Sequence, residues 1–214
     1  MRTKTEEKRE AILAVAAEVF REVGFSGASM SEICTRVGGS KATLYNYFPS
    51  KEELFFEVMF RSTEAEFEAT HQALDPSTDD VAACLRHFGE QFLALLYSEK
   101  VLSVRRLIIA ESGRAHLGHL CYARGPERSQ AMMAEFLASA MAKGKLRPAD
   151  PRVATLHLRA LLEAELLDCI LFHIDRPEEA GSIASIVSRA IDVFMIAYGP
   201  TRDPQPSFAD SPRT

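Results

Sequence analysis

Apolar residues recur along this chain at three- and four-residue spacing from end to end, and few stretches alternate with period two. The pattern predicts helices near 4–23, 29–37, 40–47, 51–73, 78–97, 99–112, 126–143, 151–174 and 177–198, with a short helical turn near 115–122. The breaks have local causes. Asp75-Pro76-Ser77-Thr78 reads as a turn followed by a capped start, and Gly113 and Gly118 interrupt the middle. Gly125-Pro126 and Asp150-Pro151 each restart a helix with proline at its first position. Gly144 to Pro148 ends another helix, and Arg176-Pro177 opens the last. The expected fold class is all-α: an N-terminal three-helix domain over 1–50, a larger helical domain over 51–198, and a proline-rich disordered tail over 199–214.

The stretch from Ser29 to Lys51 carries the most specific pattern. Ser29 is an N-cap with Glu32 at capping-box spacing, and Ile33 and Val37 give one apolar face. Gly38-Gly39 stops that helix. Ser40 caps the next, where Leu44 and Phe48 repeat the i, i+4 spacing, and Pro49 ends it before a second capping box at Ser50 and Glu53. Helix, glycine turn and helix is the layout of a helix-turn-helix reader of DNA. The outward residues of its second helix suit that task. Lys41 reaches a guanine edge or a phosphate, Ala42 and the Thr43 methyl suit a thymine methyl, and Asn46 pairs with adenine. Tyr45 and Tyr47 donate to phosphates, although Tyr47 also suits packing between helices. Lys51 opens the following helix, where its charge and the free N–H groups meet one phosphate together.

Gly39 to Leu54 (Gly-Ser-Lys-Ala-Thr-Leu-Tyr-Asn-Tyr-Phe-Pro-Ser-Lys-Glu-Glu-Leu) closely resembles the signature of TetR-family transcriptional regulators, and Ile12 to Phe25 resembles that family's first helix. The resemblance implies DNA contacts at Lys41, Ala42, Thr43, Tyr45, Tyr47 and Lys51, with Ser29 and Ser31 near the backbone. Gly39 departs from it, since the family usually carries a small apolar residue such as Val there. Weaker packing under the turn is the expected consequence. Arg106 to Gly113 and Gly144 to Pro151 more loosely resemble the sensor domain of AefR-like regulators.

Charge and composition refine this reading. Residues 1–51 hold eight basic and six acidic side chains, net +2, whereas the whole chain is −5, so the remainder carries −7. A mildly basic head on an acidic body suits contact with DNA at one end, through few cations and with salt-sensitive affinity. The four cysteines are scattered without a CxxC pair, which points to reduced thiols in a cytoplasm. No secretory signal is visible, and the most apolar stretch, Ala160 to Ile174, contains Glu163, Glu165 and Asp168, so no membrane span is expected.

A head of about fifty residues does not need so large a body, which must then carry dimer contacts, effector sensing, or both. The helices near 151–174 and 177–198 are apolar over a broad arc and would bury two sides. Paired across two subunits they would form a four-helix homodimer interface. The partners expected are a double-stranded DNA operator, a second copy of the chain and a small apolar or amphiphilic effector. Candidate effector contacts are Phe88, Phe92, Leu96, Leu107, Tyr122, Met133, Phe136 and Phe172, with Glu165 and Asp168 as polar groups if buried. The competing reading places the apolar side chains in the core and pairs the acids with Arg159 or a partner's cation, or leaves them facing water.

Neither metal nor cofactor is expected. His116, His119 and Cys121 match no common zinc spacing. Glu68-Ala69-Thr70-His71 is a single Glu-x-x-His, where a di-iron bundle needs two. With no glycine-rich phosphate loop and no Gly-x-Ser-x-Gly, an enzyme has no constellation to use. The expectation is a ligand-responsive regulator, most simply a repressor released from a palindromic operator, with a body that docks another protein as the alternative.

Overall fold

A computed structural model describes residues 4–110, 115–172, 174 and 181–200. Among them every regular element is a helix: α1 (Lys4–Gly27), α2 (Met30–Val37), α3 (Lys41–Tyr47), α4 (Lys51–Gln72), α5 (Val81–Leu96), α6 (Glu99–Ala110), α7 (Ala115–Tyr122), a π-helical turn (Ala123–Glu127), α8 (Arg128–Ala142), α9 (Pro151–Glu163), α10 (Leu167–Leu171) and α11 (Ile183–Tyr198). The predicted break at Gly113, the restart at Arg176-Pro177 and the tail beyond Pro200 lie outside the described residues. The chain forms two compact units. One comprises Met1–Gln72 with Phe92–Arg128, and the other Ala73–Gln91 with Ser129–Thr214.

In the first unit, α1 to α4 close around one apolar cluster. α1 supplies Ile12, Ala16, Val19 and Phe20, α2 supplies Met30, Ile33 and Cys34, α3 supplies Leu44 with Phe48 just beyond it, and α4 supplies Leu54, Phe55 and Val58. The i, i+4 repeats of the sequence are the faces turned to this core. Phe55 is its aromatic centre, edge-on to Phe20 at 5.1 Å and tilted against Phe25 at 5.0 Å. Val104 and Leu107 of α6 pack against the same cluster.

Several boundaries differ from the sequence reading. α1 runs past residue 23 to Gly27 through a kink at Gly24 (φ 68°). α5 starts at Val81, capped by Asp80, whose carboxylate accepts the Ala83 N–H at 2.9 Å, whereas Asp75 is spent on the Ser77 N–H in the preceding turn. Pro126 does not open a helix. It sits inside the π-helical turn between α7 and α8, and the regular helix resumes at Arg128. The predicted helix 151–174 breaks at 164–166. There the Ala164 and Leu166 N–H groups bond three residues back, to Leu161 and Glu163, and Leu166 leaves helical geometry. No glycine or proline marks that break.

The second unit is built on α9 against α11. Ala154, Leu158 and Leu162 of α9 and Ile186, Val187, Ala190, Ile191 and Phe194 of α11 are all buried, as are Leu85 and Phe88 at the start of α5. Gly89 lets α5 approach this pair. A Cβ there would lie 2.8 Å from Cγ1 of Val187 and 3.0 Å from Cδ2 of Leu162. Val187 is β-branched and has little rotamer freedom to yield. Gly89→Ala gains about 1 kcal/mol of helix propensity, but overpacking costs about 1–3 kcal/mol. We expect Gly89→Ala to lower stability by about 1 kcal/mol in denaturant unfolding, and a rise in the unfolding midpoint would show that the contact relaxes freely.

Candidate nucleic-acid interface

The predicted reading helix is fixed at both ends by its own sequence. Ser29 caps α2, its Oγ accepting the Glu32 N–H at 3.1 Å. The Gly38 N–H closes the helix on the Cys34 carbonyl at 3.1 Å, and Gly38 takes φ 68°, a conformation costly for any other residue except Asn or Asp. Ser40 then caps α3 through the Thr43 N–H at 3.1 Å, and the two hydroxyls meet at 2.9 Å. Two contacts hold the turn from below. Lys8 of α1 donates to the Gly38 carbonyl at 2.9 Å, and the Cys34 thiol lies 3.3 Å from the Gly39 carbonyl. The small apolar side chain that Gly39 lacks is thus offset by polar contacts to the backbone.

With Leu44 and Phe48 buried, α3 presents Lys41, Ala42, Tyr45 and Asn46 to solvent as one stripe, at i, i+1, i+4 and i+5. Thr43 is half-buried beside its cap. Tyr47 is half-buried against the head core, and it borders a cleft of about 500 Å³ with Thr5, Glu7, Lys8 and Ala11. Packing, one of the two readings of Tyr47, is therefore its observed setting. Ser29 and Ser31 lie exposed at the start of α2.

Lys51 differs from expectation. Its ammonium turns inward, donating to the carbonyls of Phe25 (2.9 Å) and Ala28 (3.1 Å) and lying 4.2 Å from the centroid of the Phe25 ring. Carbonyls at a helix C-terminus carry partial negative charge and attract a cation. Lys51 thus pins the end of α1 to the start of α4, and it is a positioning residue whose charge is already engaged. Other head cations are similarly occupied. Arg36 binds Glu22 at 2.7 Å and Glu32 at 2.8 Å, and its bond to Glu22 is the main cause holding its guanidinium above the usual range. Arg9 binds Glu57. Lys41 and Arg21 are exposed, with no acidic partner among the described residues.

The candidate effector residues divide between the units. In the first, Phe92 is buried, Leu96 and Leu107 are half-buried, and Tyr122 is 49% exposed. In the second, Phe88, Met133 and Phe136 are buried, whereas Phe172 is 70% exposed and Glu165 and Asp168 are on the surface. Glu165 is gripped by Arg189 through two bonds of 2.9 and 2.6 Å, and Glu163 by Arg159 at 3.0 Å. Glu163 and Glu165 are therefore paired and Asp168 is exposed, so burial, the condition for an effector role, is not met at Glu165 or Asp168. Glu68 pairs with Arg128, and the buried His71 donates from Nδ1 to the Phe67 carbonyl at 2.8 Å, which accounts for both members of the Glu-x-x-His motif. Burial lowers the His71 pKa and pushes the Cys121 thiol up to about 12. The described residues contain no group of three or more side chains able to hold a metal.

Sequence reasoning passed over Glu57. It stands alone in the apolar run Leu54-Phe55-Phe56-Glu57-Val58-Met59-Phe60, and its carboxylate is held by Arg9 at 2.5 Å and by Arg124. A single acid within seven residues otherwise apolar was a readable sign of a buried, paired charge.

Residues 12–58 match the bacterial regulatory proteins of the tetR family, and residues 83–200 match the family described as AefR-like transcriptional repressor, C-terminal domain. Among curated relatives, the HTH-type transcriptional activator FasR of Mycolicibacterium smegmatis is 39% identical over 79 residues, 37% of this chain and 36% of that protein. The chain spans about a third or less of the length of the curated relatives it matches. Among solved structures, a TetR-family transcriptional regulator from Mesorhizobium loti MAFF303099 is 28% identical, with TM-score 0.75, covering 92% of this chain and 100% of that one. The Flavonoid-responsive Regulator FrrA is 34% identical, with TM-score 0.67, covering 92% of this chain and 99% of that one. A capped helix-turn-helix and a helical body, each matched to the corresponding family domain, identify a regulator and not an enzyme: the chain belongs to the TetR family of transcriptional regulators.

Proposed function

We propose that this chain is a ligand-responsive repressor that binds a palindromic operator as a homodimer and leaves it when a small apolar or amphiphilic molecule occupies the body. The exposed stripe Lys41, Ala42, Tyr45 and Asn46, on a short helix capped by Ser40 and backed by buried Leu44 and Phe48, carries the DNA reading. A rigid helix with a polar, aromatic and cationic outer face meets base edges and phosphates without first ordering itself.

The dimer reading rests on the second unit. Val153 and Leu156 of α9, Leu167 and Leu171 of α10, Phe172, and Val193 and Ile196 of α11 are all at least 42% exposed, and Ile196 reaches 87%. Large apolar side chains on neighbouring helices in such numbers are the mark of a surface that a partner covers. Phe172 fits this face better than an effector pocket. Buried Phe88, Met133 and Phe136 of the second unit remain the candidate effector contacts. The flavonoid response in FrrA's name favours a planar, apolar effector. The repressor sign follows the description of the matched C-terminal family, and FasR, an activator, marks the opposite outcome.

The test is fluorescence anisotropy of the full chain on a duplex obtained by random-site selection, over a salt series. Asn46→Ala should cost about 1–3 kcal/mol and relax the preference for one base. Lys41→Ala should weaken all sequences alike and flatten the slope of log affinity against log salt by about 1 per subunit. Unchanged affinity in both variants would remove α3 from the interface.

Ile196→Glu places a charge on the apolar face, where it would be desolvated in a dimer. Light scattering should report a monomer at micromolar concentration, with operator affinity lost. A stable dimer would move the interface elsewhere.

A further inference from the structure

We propose that Glu57 is a junction through which the head and the π-helical turn sense each other's position, one buried carboxylate on α4 being held at once by Arg9 of α1 and Arg124 of the turn. The regulatory consequence rests on the function proposed above. The junction itself rests on the geometry of the first unit.

The side chain of Glu57 is 9% exposed. Arg9 donates to its Oε2 at 2.5 Å and Arg124 to its Oε1, so each oxygen has a guanidinium of its own. Arg124 is fixed by more than charge. Its guanidinium lies 4.1 Å from the centroid of Phe60 and 5.7 Å from that of Phe56, the aromatic residues that flank Glu57 on α4. One helical turn later, Arg128 bridges Glu64, at 2.6 Å, and Glu68, over the ring of Phe67 at 4.7 Å. Toward the head, Arg61 holds Glu10 of α1 at 2.6 Å. Residues 57, 61, 64 and 68 stand at i, i+4, i+7 and i+11, one face of α4. That face is engaged by α1 at one end and by residues 124 and 128 at the other, and of these four residues Glu57 is the one whose contacts reach both.

Three arginines and three glutamates meet along this rail outside the Arg61–Glu10 pair. Burial, then the nearby charges of Arg9 and Arg128, pull the Arg124 guanidinium below its ordinary range. Arg9 and Arg124 repel each other except through the carboxylate they share. If Arg124 moves, Glu57 is released to Arg9 alone, and the hold of α1 on α4 changes. The segment carrying Arg124 is the one suited to move. It is a π-helical turn with Pro126 inside, which has no N–H to give, an irregular stretch between two α-helices.

Hydrogen exchange on the full chain tests the junction without any ligand. Arg124→Gln should change exchange across α1 by about fivefold or more, and Arg9→Gln should do the same across residues 115–128. Arg124→Lys, which keeps the charge but not the fork, should fall between. Changes confined to the substituted segment would overturn the proposal, and if Arg124→Gln fails to fold, Arg9→Gln decides the question from the other side. On a selected duplex, Arg124→Gln should alter affinity about fivefold when Arg9 is present and less than about twofold in the Arg9→Gln background. Equal effects in both backgrounds would likewise overturn it. If the unaltered chain selects no duplex, the DNA reading fails, and the exchange result still decides the junction.

Discussion

Helix α4 must do two incompatible-looking things, and the first unit depends on how it does them. One face, through Leu54, Phe55 and Val58, is a wall of the head's apolar core. The adjoining face is charged, and it includes a carboxylate, Glu57, buried among phenylalanines. An isolated buried carboxylate is costly, and here two guanidiniums converge on it. Neither can be withdrawn without exposing that cost. The helix that closes the core of the head is thereby tied electrostatically to the chain that follows α7.

The head shows the same economy with charge. Its net positive balance suggests a surface of phosphate-binding cations. The structure uses four of the eight internally: Lys8 under the turn, Lys51 at the end of α1, Arg36 between two glutamates, Arg9 on Glu57. These contacts hold α3 steady against the core, leaving Lys41 as the outward cation of the stripe.

Much of this was legible in the residue order. Ser29, Ser40 and Ser50 cap the helices that follow them, because a hydroxyl one residue ahead of a helix has a nearby N–H to accept from. The buried faces of α2 and α3 follow from Ile33, Leu44 and Phe48 at helical spacing. Other features depended on partners far along the chain. Nothing near Lys51 announces that Phe25 and Ala28 will offer it their carbonyls, and nothing near Glu165 announces Arg189. The break after Glu163 carries no glycine or proline, and the π-helical turn disguised Pro126 as a helix start. Glu57 is the exception: its sign was local, but its meaning required the positions of Arg9 and Arg124.

The second unit carries the argument for the proposed pairing of two copies. Exposed apolar side chains on α9, α10 and α11 are what the proposed homodimer rests on. The most direct test of this account is a protection footprint of the full chain on a duplex recovered by random-site selection. The account predicts two equivalent half-sites in inverted repeat, spaced about 34–36 Å or one helical turn apart, or a multiple of that. A single asymmetric site, or no protection at low salt, would contradict it.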